Sequence, residues 1–379
     1  MAAHDQSAVT LMAGGDIGPV VEPTEKFAEL INPVLQQADL RFGQCERTYS
    51  TRGSDPQFAY GPGGQHTRLD PSMAGIWKAT AMDVVSLASN HAMDWGPDAL
   101  LDTVDLFRSM GKHVIGGGKN ADEARKPAIV ECKGVKIAFL AYCSVLRDGQ
   151  AAGVGKAGIA PMRAHTYYAP EEFQPGTPPK IITVPYEEDV LALQEDIRKA
   201  KQHADVVIMS IHWGLRHVPK TICTYQTPVA HAAIDAGCDL ILGHHAHSIK
   251  AIEVYKGKVC FYSIGNFMTT GSAKRTGSTF DWNLIWFPIE KECLPPLGMY
   301  QFPTHCRKTM VAKAIISKKG IERVSFLPAF ITPQAQPYVV GRDDPKFQEI
   351  LDFTEWVSDQ HPHRFRVEGN EVVVDTSPQ

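Results

Sequence analysis

The chain has no apolar run approaching the roughly 20 residues that span a bilayer. Its start, MAAHDQSAVTLMAGGD, has no basic flank followed by a sustained apolar core. Neither a membrane span nor a signal peptide is expected. Charge of neither sign is in excess: 38 basic against 42 acidic residues leave a formal net charge of -4. Nothing global therefore draws the chain to nucleic acid or to an anionic membrane. Its eight cysteines, Cys45, Cys132, Cys143, Cys223, Cys238, Cys260, Cys293 and Cys306, include no close-spaced pair. Several lie inside apolar runs, which argues for reduced, buried thiols in a cytoplasmic protein and against a disulfide frame or a thiolate zinc site. Ser89 and Ser263 lack the Gly-x-Ser-x-Gly elbow of a serine hydrolase. Gly116-Gly117-Gly118 lacks the glycine spacing of a dinucleotide fold. There is no internal repeat, heptad array or low-complexity tail.

What the chain does have is length enough for a substantial core, at 379 residues. It also has one dense stretch, CDLILGHHAHSIKAIEVYKGKVCFYSIGNF, from Cys238 to Phe267. A short apolar run breaks there at Gly243 and presents His244, His245 and His247. Open α/β sheets build ligand sites where strands stop at glycine and release polar side chains. Read as extended backbone, the segment points His245 and His247 the same way and His244 the opposite way. Two imidazoles converging like this suit a metal or a metal pair.

The rest of the chain repeats one pattern of strand, polar end and helix. Val9 to Ala13 reads as a strand delivering Asp16 after Gly14-Gly15, followed by an amphipathic helix from Pro23 to about Leu40 with Thr24 as its cap. Leu40 to Glu46 reads as a second strand, Arg52 to Asp70 as a long loop, and Pro71 to Met82 as a helix. Asp83 to Ala88 is a buried strand ending in Ser89-Asn90-His91, and Pro97 to Met110 a helix. Hairpins are expected at Lys133-Gly134, Lys256-Gly257 and Lys319-Gly320, and helices over Glu187–Ala204, Thr227–Ala236 and Asp344–Gln360. Asp205 to Ile211 is a strand that releases His212-Trp213-Gly214. Residues 1–379 read as one domain with insertions at 144–186 and 268–308 that could form a lid.

Asp16, Glu46, Asn90 with His91, His212 and the His245/His247 pair thus all follow strand signals. Taken singly, an Asp after two glycines reads as a turn residue and a lone Glu as a surface carboxylate. Together, two carboxylates, an amide oxygen and three or four imidazoles make a mixed nitrogen and oxygen donor set. It suits zinc, manganese or iron, whereas calcium would want mostly oxygen.

The order and spacing of these pieces resemble the CapA family of poly-γ-glutamate capsule proteins, related in fold to the calcineurin-like metallophosphoesterases. The matching motifs are Gly15-Asp16, Glu46, Ser89-Asn90-His91-Ala92-Met93-Asp94-Trp95-Gly96, His212-Trp213-Gly214, Gly243-His244-His245-Ala246-His247 and Tyr262-Ser263-Ile264-Gly265-Asn266-Phe267. Gln44-Cys45 stands where the family has Asn-Leu, Ser89 replaces an Asn, and the membrane anchor usual in capsule members is not seen.

The resemblance implies a four-layer α/β/β/α metallophosphatase-like sandwich with a binuclear metal site at the strand ends. It implies Asp16 and His247 on one ion, Asn90, His212 and His245 on the other, and Glu46 between them. His91 would face the substrate as acid or electrostatic stabiliser, oriented by Asp94. His244 could exchange places with either neighbour and is otherwise expected on the substrate side. Ser263 and Asn266 would support the ligands from behind.

Metal-activated water serves phosphoesters and amides alike, so the substrate must be read from other residues. Arg52 and Arg68, then Arg216, His217 and Lys220, then Lys274 and Arg275 offer cations for an anionic substrate. Arg52, Arg216 and His244 are the expected substrate contacts. Two functions are expected to compete. One is a soluble, cytoplasmic metal-dependent hydrolase of a small or oligomeric anionic substrate, with an amide or γ-glutamyl bond slightly ahead of a phosphoester. The other is a non-catalytic accessory or polymer-binding protein of poly-γ-glutamate capsule synthesis. The sequence leaves a homo-oligomer open.

Overall fold

The computed structural model describes residues 7–54, 68–270, 299–300 and 302–377. Its frame is two sheets packed face to face. The first has ten strands and runs in the order Phe365–Glu368, Glu371–Val374, Gly320–Ile331, Lys308–Ser317, Val9–Gly18, Leu40–Cys45, Val84–Ser86, His113–Ile115. Asn266–Thr269 pairs in addition with Val9–Gly18, and Pro337–Val339 with Gly320–Ile331. From Val9–Gly18 to His113–Ile115 the pairing is parallel; towards the carboxyl-terminal strands it is antiparallel. The second sheet has six strands in the order Ile252–Tyr255, Lys258–Phe261, Leu240–His244, Val206–His212, Val135–Cys143, Ala128–Cys132. Its four central strands are parallel.

The apolar runs in the second sheet have the period of a strand buried on both faces. Val206 and Ile208 enter the core between the sheets, while Val207, Met209 and Ile211 join the outer cluster under Glu187–Lys201 and Gln226–Asp235. Leu240 and Leu242 face inwards and Ile241 outwards in the same way. Between the sheets, Phe42 stacks on Phe139 with centroids 6.3 Å apart. Helix Gly96–Ser109 covers the first sheet with Leu100, Val104 and Phe107. The layers are those of an α/β/β/α sandwich.

Several sequence expectations are corrected. The helix expected from Pro23 to Leu40 is a 3-10 turn, Thr24–Ala28, and a single α turn, Asn32–Leu35. Pro33 lacks the N–H that would continue a helix through it. The Thr24 hydroxyl caps nothing of its own; it accepts from the Ile76 N–H and donates to the Met73 carbonyl. The helix expected over Pro71–Met82 is likewise Pro71–Ala74 and Gly75–Ala79, and ends before Ala81 at φ 49.

The irregular stretch after Ser144 contains an antiparallel ribbon, Ala164–Ala169 with Lys180–Pro185. Its outer residues, Tyr167, Tyr168 and Ile181, are exposed, so no alternation marked it. The strands Phe365–Glu368 and Glu371–Val374 were missed although Gly369-Asn370 is a hairpin signal between them. Most of the second expected insertion, including Lys274 and Arg275, and much of the Arg52–Asp70 loop lie outside the described residues. Among the described residues, no helix is long and apolar enough to cross a membrane.

Candidate metal centre

The parallel strands of both sheets end in one place. Asp16 comes from Val9–Gly18, and Glu46 follows Leu40–Cys45, its N–H on the Ile17 carbonyl. Gln44, where the family pattern has Asn, is buried and donates to the Ser86 and Ala88 carbonyls, which ties Glu46's strand to the loop carrying Asn90. His212 ends its strand, and His245 and His247 follow Leu240–His244.

This last turn is not the extended backbone expected. His245 has φ 84 and His247 φ 56, left-handed conformations that non-glycine residues adopt at a cost of order 1–3 kcal/mol. Their convergence comes from that turn rather than from strand alternation. Two glycines make the close approaches possible. A Cβ on Gly243 would lie 2.2 Å from the Tyr262 carbonyl oxygen, and one on Gly15 only 1.9 Å from that of Gly265.

The donor atoms gather in two groups that share one residue. Glu46, His212 and His245 each offer an atom within 4.8 Å of the others, and so do Asp16, Glu46 and His247. Asn90 Oδ1 lies 2.7 Å from His212 Nε2 and 3.2 Å from His245 Nδ1, and those two nitrogens are 3.1 Å apart. Glu46 reaches His212 with Oε1 at 3.3 Å and His247 with Oε2 at 3.8 Å. Asp16 Oδ2 is 3.4 Å from His247 Nδ1. Each oxygen donor comes from the first sheet or its loops and each imidazole from the second.

The environment is hard to explain without a cation. Asp16 and Glu46 are 0% and 1% exposed, and Glu46 Oε1 and His212 Nδ1 have no hydrogen-bond partner among the described residues. The His245 N–H and then the Arg47 charge offset that burial for Asp16 in part. Burial pushes the Asp16 carboxyl up to about 8. Burial and then the Asp16 charge hold Glu46 well above the usual carboxylate range. Burial, then the neighbouring imidazoles, keep His212 and His245 far below the usual histidine value, and burial takes His247 down to about 3. Buried carboxylates beside neutral imidazoles are what a divalent ion needs. The residues fit such an ion.

The other expected residues are placed as follows. His91 Nδ1 is 2.7 Å from Asp94 Oδ2, with the imidazole 17% and the carboxylate 3% exposed. The Ser89 hydroxyl accepts from the His91 N–H and shapes that turn. Arg216 is exposed and lines an open cleft of about 480 Å³ that reaches Asn90 and His245. The Arg52 guanidinium is held by Asp102 on helix Gly96–Ser109. His244 is corrected. It is fully buried against Phe42, with Nδ1 3.6 Å from Asp16 Oδ1, and so lies behind the site instead of facing a substrate.

Sequence reasoning missed Arg147, which lines the same cleft from the 144–186 segment along with Ser144, Thr166 and Thr183. It also missed Tyr300 and Phe302, the latter tilted against the His247 ring with centroids 4.9 Å apart. Neither region carries a strand or motif signal to mark them.

A sequence model described as "Bacterial capsule synthesis protein PGA_cap" matches residues 3–270. The chain is 29% identical over 273 residues to the PGA biosynthesis protein CapA of Bacillus subtilis (strain 168), 70% of this chain and 63% of that one. It is 30% identical over 203 residues to the capsule biosynthesis protein CapA of Bacillus anthracis, 52% of this chain and 43% of that one. A "Probable polyglutamine synthesis accessory protein" of Mycobacterium tuberculosis (strain ATCC 25618 / H37Rv) is 28% identical over 200 residues, 52% of this chain and 48% of that one. The chain thus spans less than two thirds of the length of each of these relatives. With the match running from residue 3 to residue 270, the chain belongs to the bacterial capsule synthesis protein PGA_cap family.

Proposed function

We propose that this chain is a metal-dependent hydrolase of the CapA type, holding two divalent ions of manganese, zinc or iron. Asp16 and His247 would bind one ion, Asn90, His212 and His245 the other, and Glu46 would bridge them. The observation that carries this reading is that Glu46 belongs to both donor groups, one carboxylate oxygen towards each. A bound cation of this kind lowers the pKa of water from about 15.7 to about 7 and polarises the electrophile.

The chain's own residues supply the rest. Asp94 accepts from His91 Nδ1 and fixes the ring, which leaves Nε2 to exchange a proton with a departing oxygen or nitrogen. Arg216 and Arg147 give the cleft beside Asn90 and His245 a positive lining, which supports an anionic substrate, small or oligomeric. Residues 144–186 wall that cleft, and in this reading act as its lid. The relatives' names, PGA biosynthesis and capsule biosynthesis, support an amide or γ-glutamyl bond over a phosphoester. A cytoplasmic location is part of the reading, on the free, buried thiols of Cys45, Cys143, Cys238, Cys260 and Cys306.

A second reading, a non-catalytic accessory protein whose cleft holds polymer, is favoured by the word accessory in the mycobacterial relative's name. Metal analysis of the purified protein, with hydrolysis of phosphoester, peptide and γ-glutamyl panels with and without chelator, separates the two. Chelator-sensitive turnover is expected. Protein that holds no metal and turns nothing over would remove the hydrolase reading.

A further inference from the structure

The two donor groups differ in one respect. The Glu46, His212 and His245 group has an amide oxygen beside its two imidazoles, that of Asn90, whereas the Asp16, Glu46 and His247 group has three donors. Asn266 stands where a fourth would be. It is fully buried, its backbone is in register with Asp16 in the parallel pairing of their strands, and its Oδ1 lies 2.8 Å from His247 Nδ1. That same Nδ1 is the His247 atom 3.4 Å from Asp16 and 3.8 Å from Glu46. Donors about 2.1 Å from a common ion sit roughly 3.0–3.5 Å from one another, and Asn266 Oδ1, Asp16 Oδ2 and Glu46 Oε2 lie 2.8, 3.4 and 3.8 Å from that one nitrogen, close to this spacing.

The surroundings fix this oxygen in place. Asn266 Nδ2 donates to the Tyr300 hydroxyl at 2.7 Å, which settles which end of the amide is the acceptor and turns Oδ1 to the site. The Asn266 carbonyl accepts from the Thr309 hydroxyl, and the Asp16 N–H donates to the Gly265 carbonyl at 3.2 Å. The tight contact at Gly15 is what lets the Asn266 segment lie against Asp16.

We infer that Asn266 is itself a ligand of the ion held by Asp16, Glu46 and His247, giving that ion an amide oxygen as Asn90 does for the other. The inference rests on the two-ion reading above. The competing role is a supporting one, in which Asn266 only accepts a hydrogen bond from His247 Nδ1–H and orients the ring.

Titration of the full-length protein with Mn²⁺, followed by calorimetry and by the electron paramagnetic resonance of the bound ion, tells the roles apart. Asn266→Ala is expected to weaken the affected ion's affinity about tenfold or more, and to weaken it again when made in a His247→Ala background. A ligand acts without its neighbour, whereas a supporting contact has nothing left to support. Tyr300→Phe, a gentler change, is expected to weaken the same ion and leave its partner unaffected. An Asn266→Ala protein with unchanged affinity, or an effect that vanishes in the His247→Ala background, would overturn the inference while leaving the two-ion reading standing. Wild-type protein that takes up no Mn²⁺ would overturn both.

Discussion

At the scale of single residues, Glu46 is the point on which the site turns. It is the one residue that the two candidate donor groups share, Asp16 and His247 standing on one side of it and His212 and His245 on the other. Glu46→Gln keeps the shape and removes the charge. The expected outcome is a loss of more than one ion per chain by mass spectrometric metal analysis, whereas Asn90→Ala loses only one. Retention of both ions by Glu46→Gln would show the carboxylate is no bridge.

Stripped of metal, the site should leave a mark on the pH dependence of stability. The Asp16 carboxyl, raised to about 8, contributes stability that is fully present below the unfolded value near 4 and is lost as pH climbs through 8. His247 and His244, lowered to about 3, act oppositely. Their contribution is present above the unfolded value of 6.5 and is lost as pH falls through 3. Melting temperatures of the chelated protein are therefore expected to peak near pH 6.5 and fall on both sides, with the alkaline fall abolished by added cation. An alkaline limb that is the same with and without cation would contradict this.

At the scale of elements, glycines decide whether strands come close enough to deliver their side chains. Gly15→Ala puts a methyl 1.9 Å from a backbone oxygen that has no rotamer to move. It is expected to destabilise by about 2 kcal/mol or more and to lower metal content with it, measured by denaturant unfolding. Unchanged stability would mean that the two segments part easily.

Element by element, the sequence was legible where burial imposes a period. The strands Val206–His212 and Leu240–His244, the hairpins at Lys133-Gly134, Lys256-Gly257 and Lys319-Gly320, and helix Gly96–Ser109 all stand where apolar patterning and turn glycines put them. The exposed ribbon at Ala164–Ala169 and the broken helices before Leu40 were not, since the first buries no face and the second owes its form to Pro33 and to partners distant in sequence. The histidine turn shows the limit most sharply. Its residues were identifiable, but the positive φ at His245 and His247 comes from tertiary contacts that no local pattern encodes.

At the scale of the whole molecule, the strand ends of two sheets meet in one pocket, and an ion bound there would stabilise only the folded state. At a free Mn²⁺ concentration about 100 times its dissociation constant, the gain is about 2.7 kcal/mol per independent site. The melting temperature is expected to rise by several degrees, read by differential scanning calorimetry, and to rise much less in Glu46→Gln. Equal shifts in the two proteins would place the bound ion elsewhere.

The division of labour between the sheets, with oxygens offered from one and ring nitrogens from the other, makes the pocket a seam. A cation seated in it would rivet the two halves of the sandwich along one edge. Amide hydrogen exchange would register this as slower opening at Asp16 and at His245 together, though the two residues lie on different sheets, and neither half alone could capture the ion.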